Sequence, residues 1–338
     1  MQIRGLTLFC LLVFANLTFA QDIQFSQYYN VPLYLNPAFA GSAHNHRAVL
    51  HQRLQWPKLD AKYTTSLFSF DTYIEKYNSS VGIIAYQDYQ GNNTIKSSEI
   101  GLMYSYELNL TGNITVRPGM QLSYVTRNTD YSSLMFSYQF DNNGLHTTNN
   151  GLGGNRIHYA DVSAGTVVYS DNLFLSFSGH HLNMPNQAFI QDVSRLPIKY
   201  SVFGGYRIKI TSDNGYHDND HTLILTPTFH YKTQGKSDQL DLGLYAMYDH
   251  LLIGFWYRGL HGIKQYERKL QNNEAIIGMI GYQYNNLAFA YSYDYTVSRL
   301  AIARTGGAHE INLTWLYKKK YKKNKMRRRL PCPNFYKV

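Results

Sequence analysis

Apolar residues change places one for one with polar or small residues in about a dozen separate segments of this chain. A period of two is the period of a β-strand, whose successive side chains point to opposite faces. In 287–295, Leu287, Phe289, Tyr291, Tyr293 and Tyr295 share one face, and Ala288, Ala290, Ser292 and Asp294 share the other. In 114–124, Ile114, Val116, Pro118, Met120, Leu122 and Tyr124 oppose Thr115, Arg117, Gly119, Gln121 and Ser123. Many strands of about ten residues, apolar on one face and polar on the other, are the pattern of a transmembrane β-barrel. A wet lumen would let Ala290 accept a charge more cheaply than the lipid-facing Phe289.

The chain carries 31 Tyr and 17 Phe, with aromatics at 15% and charged residues at only 16%. Strands favour aromatic side chains, and a barrel needs aromatic girdles at both membrane interfaces. The mean hydropathy of −0.36 has a soluble look, but lumen-facing residues cancel lipid-facing ones in such an average. The alternative, a soluble β-sandwich, would be unusually large at 338 residues with no evident linker.

Residues 1–20 read as a signal peptide: Arg4, an apolar run from Leu6 to Leu17, then Thr18-Phe19-Ala20 before Gln21. Beyond it no apolar run reaches the roughly 18 residues of a helical span. Export without a helical span points to the outer membrane of a bacterium with two membranes. Cys10 departs with the signal peptide and leaves Cys332 without an intramolecular partner, so burial of that thiol is expected. The formal charge of +10 is local: 318–329 (KKKYKKNKMRRR) holds nine basic residues and no acid, and with Arg4 and Lys337 outweighs the total, leaving the body near −1. Basic runs bind nucleic acid or anionic headgroups. Export argues against nucleic acid, which leaves a solvated tail, outer-membrane lipid or a periplasmic partner.

The periodicity places fourteen strands near 44–56, 62–72, 80–88, 95–108, 113–127, 157–169, 172–181, 198–210, 221–232, 239–248, 250–258, 274–284, 287–295 and 308–317. Tight turns of Asn, Asp and Gly follow several even-numbered strands, since these residues tolerate positive φ. Long connections, 128–156, 182–197, 259–273 and 296–307, follow odd-numbered ones. Short turns periplasmic and long loops outside is the outer-membrane arrangement, and an even count puts both ends of the barrel domain on the periplasmic side; both termini are therefore expected there. Connections 73–79 and 211–220 are longer than this rule. Closure is obligatory because lipid offers unpaired amides no partner, and fourteen strands enclose more space than their own side chains fill. The expected organisation is a signal peptide (1–20), a plug or periplasmic segment (21–43), an antiparallel all-β barrel (44–317) and a basic periplasmic tail (318–338).

Candidate chemistry is sparse. His44-Asn45-His46 begins a strand without metal-ligand context. His217, Asp218, Asp220 and His221 form a hard-ligand cluster in one connection, where a polar turn is the simpler reading. His180-His181 ends a strand and is expected to face an interface or loop. Hydrolases need a nucleophile and base converging on one spot; no local motif supplies them, so the reading is of a chain that is not an enzyme and carries no cofactor or metal.

Four segments together resemble the PorP/SprF family of Bacteroidetes outer-membrane proteins, associated with type IX secretion and gliding motility. The first runs Asp22-Ile23-Gln24-Phe25-Ser26-Gln27-Tyr28 and on through Leu35-Asn36-Pro37-Ala38-Phe39-Ala40-Gly41. The second is Arg53-Leu54-Gln55-Trp56-Pro57, and the fourth is Cys332-Pro333-Asn334-Phe335. The third is Tyr293-Asp294-Tyr295-Thr296-Val297-Ser298, leading to Gly307-Ala308-His309-Glu310-Ile311. The family usually has Pro where Ile23 stands, and the basic run before Cys332 is more pronounced here. The resemblance implies a non-enzymatic component that works with type IX secretion, either as a core part linked to periplasmic ring and motor proteins or as the partner of one surface adhesin's C-terminal domain. It makes Phe25, Ser26, Gln27, Tyr28, Asn36, Pro37, Gly41, Arg53, Gln55, Trp56, Asp294, Ser298, His309, Glu310, Cys332 and Phe335 the candidate motif or partner-binding residues. The bland readings stand beside this: Asn36-Pro37 starts a turn and Trp56 is a girdle aromatic. The runner-up function is a passive channel for small solutes; a hydrolase would need a converging set at the lumen or rim.

Overall fold

The computed structural model describes residues 22–59, 62–91, 94–130, 155–189, 193–211, 222–260, 273–298 and 305–317. Residues 1–21, the cluster at 217–221 and the tail from 318 onward, with Cys332 and Phe335, lie outside the described residues. Sixteen strands occur among the described residues: β1 (His46–Gln55), β2 (Tyr63–Ile74), β3 (Ser79–Gln90), β4 (Ile95–Tyr106), β5 (Leu108–Asn109), β6 (Thr115–Thr129), β7 (Arg156–Tyr169), β8 (Leu173–His180), β9 (Lys199–Tyr206), β10 (Ile208–Thr211), β11 (Thr222–Gln234), β12 (Ser237–Tyr248), β13 (Leu251–Gly259), β14 (Asn273–Tyr284), β15 (Leu287–Thr296) and β16 (Ala308–Tyr317).

Fourteen of them close into one antiparallel ring. Each pairs with its neighbours, β9 pairs β11, and β16 returns to β1 in register from His46↔Tyr317 to Gln55↔Ala308. The ring has no open edge, as a lipid-embedded sheet requires. The two remaining strands are short extensions: β5 pairs β6 and β10 pairs β11. The sequence reading treats 95–108 and 198–210 as single strands; the structure interrupts them at Glu107 and Arg207. The Glu107 N–H turns away to the Asn78 carbonyl (2.8 Å) and the Arg207 N–H to that of Asn172 (2.7 Å). The connection expected at 73–79 shrinks to 75–78, because β2 runs on to Ile74 and Asn78 closes the turn at φ 50°. Connection 212–221 lies outside the described residues.

Outward positions follow the period of two: in β15, Leu287, Phe289 and Tyr295 are exposed, while Ala288, Ala290, Ser292 and Asp294 are buried. Near the end where β1 starts and β16 stops, Tyr104, Tyr106, Tyr248, Tyr282, Tyr284, Trp315 and Tyr317 are all exposed, an aromatic girdle. We call this the short-turn end and the opposite one the long-loop end.

The lumen departs from the expected polar interior. Residues 22–45 lie within the ring and, Asp22, Ile23, Gln24 and Tyr34 apart, are buried. Tyr28, Tyr29, Leu35 and Phe39 pack with Val167, Phe174, Phe203, Trp256 and Ile277. Phe25, Val31 and Leu33 pack with Val49, Leu67, Ile84 and Met103. The hydrophobic core is therefore inside the barrel and is built jointly by the segment and the wall. The segment crosses the lumen: Asp22 meets Lys199 (2.7 Å) and His181 (2.7 Å) at the long-loop end, and His44 meets Glu107 (2.6 Å) at the short-turn end. Asp22 and Tyr317 thus stand at opposite ends of the ring, and the termini themselves, expected on the periplasmic side, lie outside the described residues.

Candidate functional site

Proline and short turns give the segment its shape. Val31 precedes a single helical turn, Pro32–Leu35, in which Pro32 has a preset φ. Asn36 then caps the turn Pro37–Phe39, its Oδ1 accepting the Ala38 N–H (2.9 Å). The same side chain donates to Ser176 Oγ (2.8 Å) and the Phe177 carbonyl (2.8 Å) of β8. Gly41 adopts φ +67°, where an L side chain is strained, and its N–H donates to Asp71 Oδ2 (2.6 Å). On β6 of the wall, Gly119 admits the Ala38 backbone, which would lie 2.5 Å from an added Cβ.

The candidate residues of three separate motifs meet in one buried network at the long-loop half of the lumen. The Ser26 and Gln27 N–H groups donate to the two Glu310 carboxylate oxygens (2.6 and 2.7 Å). Arg53 bridges Glu310 and Asp294 (3.1 Å to the latter) and reaches Ser26 Oγ at 3.1 Å. Ser26 Oγ donates to Asp294 Oδ2 (2.5 Å), Gln27 Nε2 to Ser292 Oγ (3.0 Å), and Arg53 Nε and Nη2 to Gln55 Oε1. Each ion is nearly or fully removed from solvent, and a buried ion is tolerable only when paired and hydrogen-bonded. Phe25 packs edge-on to His51 (4.9 Å) and Tyr28 edge-on to Phe203 (5.3 Å), seating the two ends of the motif.

Other candidates stand elsewhere. Trp56 sits at the long-loop rim, held at φ 55° with its N–H donating to the Gly307 carbonyl (2.8 Å) and its ring edge-on to Tyr63 (5.4 Å). His309 faces outward beside Tyr291 (2.8 Å), apart from the network. Ser298 lies half-buried beyond the end of β15. His180 and His181 do not face an interface or loop as expected: both are buried, His180 near the Leu35 carbonyl (3.3 Å) and His181 between Asp22 and Asp161 (3.0 Å). His44 meets Glu107, while His46 stacks over Phe70, so these two histidines do not converge.

The residues missed by sequence reasoning are the partners of the motifs. Arg258 bonds Ser26 Oγ (3.0 Å), Asp241 (3.1 Å) and Asp294 (3.4 Å). Arg47 grips Asp71 (2.8 Å) and the Phe39 carbonyl (3.1 Å). Arg117 pairs Glu107 and donates to the Ala40 carbonyl (2.6 Å). Each is a charge on the inward phase of an otherwise ordinary strand, which is the signal that marks them. Outside the strands, burial works against the Asp22 carboxylate, yet Lys199 and His181 hold it well below its ordinary range. Burial likewise lowers His181, but Asp22 and Asp161 raise it to about 9. Among the described residues, no three His, Cys, Asp or Glu side chains gather as a metal site.

The family described as Type IX secretion system membrane protein PorP/SprF matches residues 17–315, a stretch that contains the whole segment and every described strand but the last two residues of β16. No curated protein sequence matches the chain. Among solved structures, the Acinetobacter baumannii outer membrane protein Omp33 is 7% identical with a TM-score of 0.44, covering 81% of this chain and 98% of its own. A Pseudomonas aeruginosa FadL homologue is 12% identical with a TM-score of 0.42, covering 83% and 92%. The family match spans the barrel and the lumen motifs together: the chain belongs to the PorP/SprF family and is an outer-membrane β-barrel component of type IX secretion.

Proposed function

We propose that this protein acts in type IX secretion as a non-enzymatic accessory or anchor through which cargo such as adhesins reaches and stays on the surface. One observation carries the reading: the lumen is occupied end to end by residues 22–45, locked by buried ion pairs and packed with aromatics. A barrel filled this way works through its rims and wall, so its ligands are proteins. In this reading the short-turn end is periplasmic, the long-loop end faces outward, and the basic run from Lys318 lies beside the inner leaflet. There each basic residue contributes about 1 kcal/mol toward an anionic surface and brings Phe335 to a periplasmic partner of the secretion machinery.

The test is surface proteomics of a deletion strain. The expected outcome is loss of one or a few surface proteins with uptake of small solutes intact. An unchanged secreted set with altered permeability would instead establish the passive-channel reading.

A further inference from the structure

At the long-loop mouth, on the β1–β3 side of the segment, is an open cavity of ≈ 320 Å³. Its floor is the start of the segment, Ile23 and Gln24, and its wall includes Trp56, Tyr63 and Asp88. A smaller cavity of ≈ 60 Å³ shares Asp22, Ile23 and Asp88 and adds Glu99. The larger volume is at the low end for a ligand pocket, suited to one side chain rather than a folded element.

The charges around it are unequal in how well they are matched. Arg53 is committed to Glu310 and Asp294, and Asp22 to Lys199 and His181. Arg127 is committed to Gln187 and to the face of Phe189. Asp88 is 3% exposed and accepts only from neutral donors, Thr65 Oγ1 (2.6 Å) and Gln90 Nε2 (2.7 Å), with no ion pair among the described residues. Glu99 likewise takes its bonds from neutral groups, Tyr86 and Gln121. Arg127 attracts Asp88 from a distance but forms no ion pair with it, and a sequestered carboxylate lacking an ion-pair partner favours a cation beside it. The aromatic pair Trp56 and Tyr63 stands at the same cavity, and aromatic faces attract cations. An anion would meet Asp22 and Asp88, and a neutral sugar would leave the Asp88 charge unmatched.

We propose that this vestibule is a binding site for the side chain of a lysine or arginine on a polypeptide arriving at the long-loop mouth, with Asp88 as counter-ion and Trp56 and Tyr63 as the aromatic walls. Its biological occupant, a basic residue of a secreted or partner chain, rests on the proposed function; the binding chemistry does not.

The full barrel folded in detergent micelles is titrated with acetyl-Gly-Lys-Gly-amide, its arginine counterpart, the same lysine peptide acetylated at Nε, and maltotriose, followed by calorimetry. The cationic peptides should bind at least tenfold more tightly than the acetylated one, and added salt should weaken them. Asp88→Asn should cut their affinity at least tenfold and Trp56→Asn, which tolerates the left-handed backbone, several-fold. Heat-modifiable gel migration checks that both variants fold; should either fail, the wild-type contrast between lysine and acetyl-lysine peptides decides alone. Equal binding of the acetylated peptide, tighter binding of maltotriose, or no binding would overturn the proposal. A failed deletion phenotype with intact lysine binding would overturn the secretion role only, and the reverse result would overturn the vestibule only.

Discussion

Two sectors of the lumen wall hold the same segment by different physics. Across β16, β1, β2 and the Asp294 end of β15, ions and amides dominate the inward side chains: Asp294, Glu310, Asn312, His51, Arg53, Arg47 and Asp71, while Ala288 and Ala290 of β15 belong to the apolar side. Across β7 to β9 and β11 to β14, they are largely Val167, Tyr169, Phe174, Phe203, Tyr245, Leu252, Trp256 and Ile277. The apolar sector contributes the larger share of burial energy, since that term scales with area and is indifferent to register. Hydrogen bonds and ion pairs contribute little net energy but penalise every misplacement, because a buried ion left alone is costly. The charged sector therefore fixes where along the lumen the segment sits, and the apolar sector keeps it there.

The strongest way to break that comparison is to remove one ion. Glu310→Leu leaves Arg53 with Asp294 as its one remaining acid and orphans the Ser26 and Gln27 N–H groups, and should destabilise by about 3–5 kcal/mol. Leu252→Ala in the apolar sector should cost about 2–5 kcal/mol. The sectors are told apart by coupling. Arg53→Leu combined with Glu310→Leu should cost far less than the sum of the singles, whereas Glu310→Leu with Leu252→Ala should add. Urea unfolding in micelles, read by tryptophan emission, measures all of these; additive behaviour within the charged pair would refute the division of labour.

How much of this was legible beforehand differs between the same two sectors. The ring was, because each strand carries its own local evidence of alternation: the expected 274–284 and 308–317 stand as Asn273–Tyr284 and Ala308–Tyr317. The fourteen-membered closure followed from strand count and the cost of an open edge. The network was half legible. Ser26, Arg53, Asp294 and Glu310 were drawn together by motif resemblance, yet |i−j| separations of 241 to 284 between their partners leave no local trace of who meets whom. Asp241 and Arg258 belong to no motif, and only their inward phase betrays them. The apolar sector was not legible, because a tryptophan or isoleucine on the inward phase looks like one strand's irregularity until the segment that covers it is known to lie inside.

A second test sharpens the comparison at β15, where one face meets lipid and the other the apolar sector. Phe289→Arg should cost about 2–4 kcal/mol if it lies near mid-membrane. A wet lumen would have made Ala290→Arg milder. Ala290 is instead fully buried in the cluster that includes Tyr29 and Met279, across from Asn312, and the neighbouring Glu310 is already paired with Arg53, so the arginine meets no water and we expect it to cost at least as much as Phe289→Arg. Heat-modifiable migration after refolding gives both numbers' rank; a harmless Ala290→Arg would mean that the apolar sector is looser than its packing.

The smallest effect lies where the two sectors end, at the clamp on Asp22. Its carboxylate takes Lys199 Nζ and His181 Nε2, each at 2.7 Å, and Gln234 Nε2 at 3.1 Å, while Asp161 supports His181 from behind at 3.0 Å. His181 is raised from 6.5 to about 9, so its contribution is complete below pH 6.5 and is lost as pH rises through 9. Asp22 is held below its ordinary 3.8, so its contribution is complete above about that value and is lost as pH falls through its depressed one. The clamp is therefore tightest between roughly pH 4 and 6.5. At the alkaline limit the loss is on the order of 1–2 kcal/mol, with partial exposure reducing what the shift alone would imply. That is enough to free the first residues of the segment while Glu310 and Asp294 still hold Ser26. A spin label at Ile23→Cys, in a Cys332→Ser background, should gain mobility with a midpoint near pH 9. His181→Gln should abolish that transition and leave the acid one in place. A label at Tyr29→Cys, deep in the apolar sector, should stay immobile across the range; mobility there at pH 9 would show that the clamp, and not the two sectors, holds the segment.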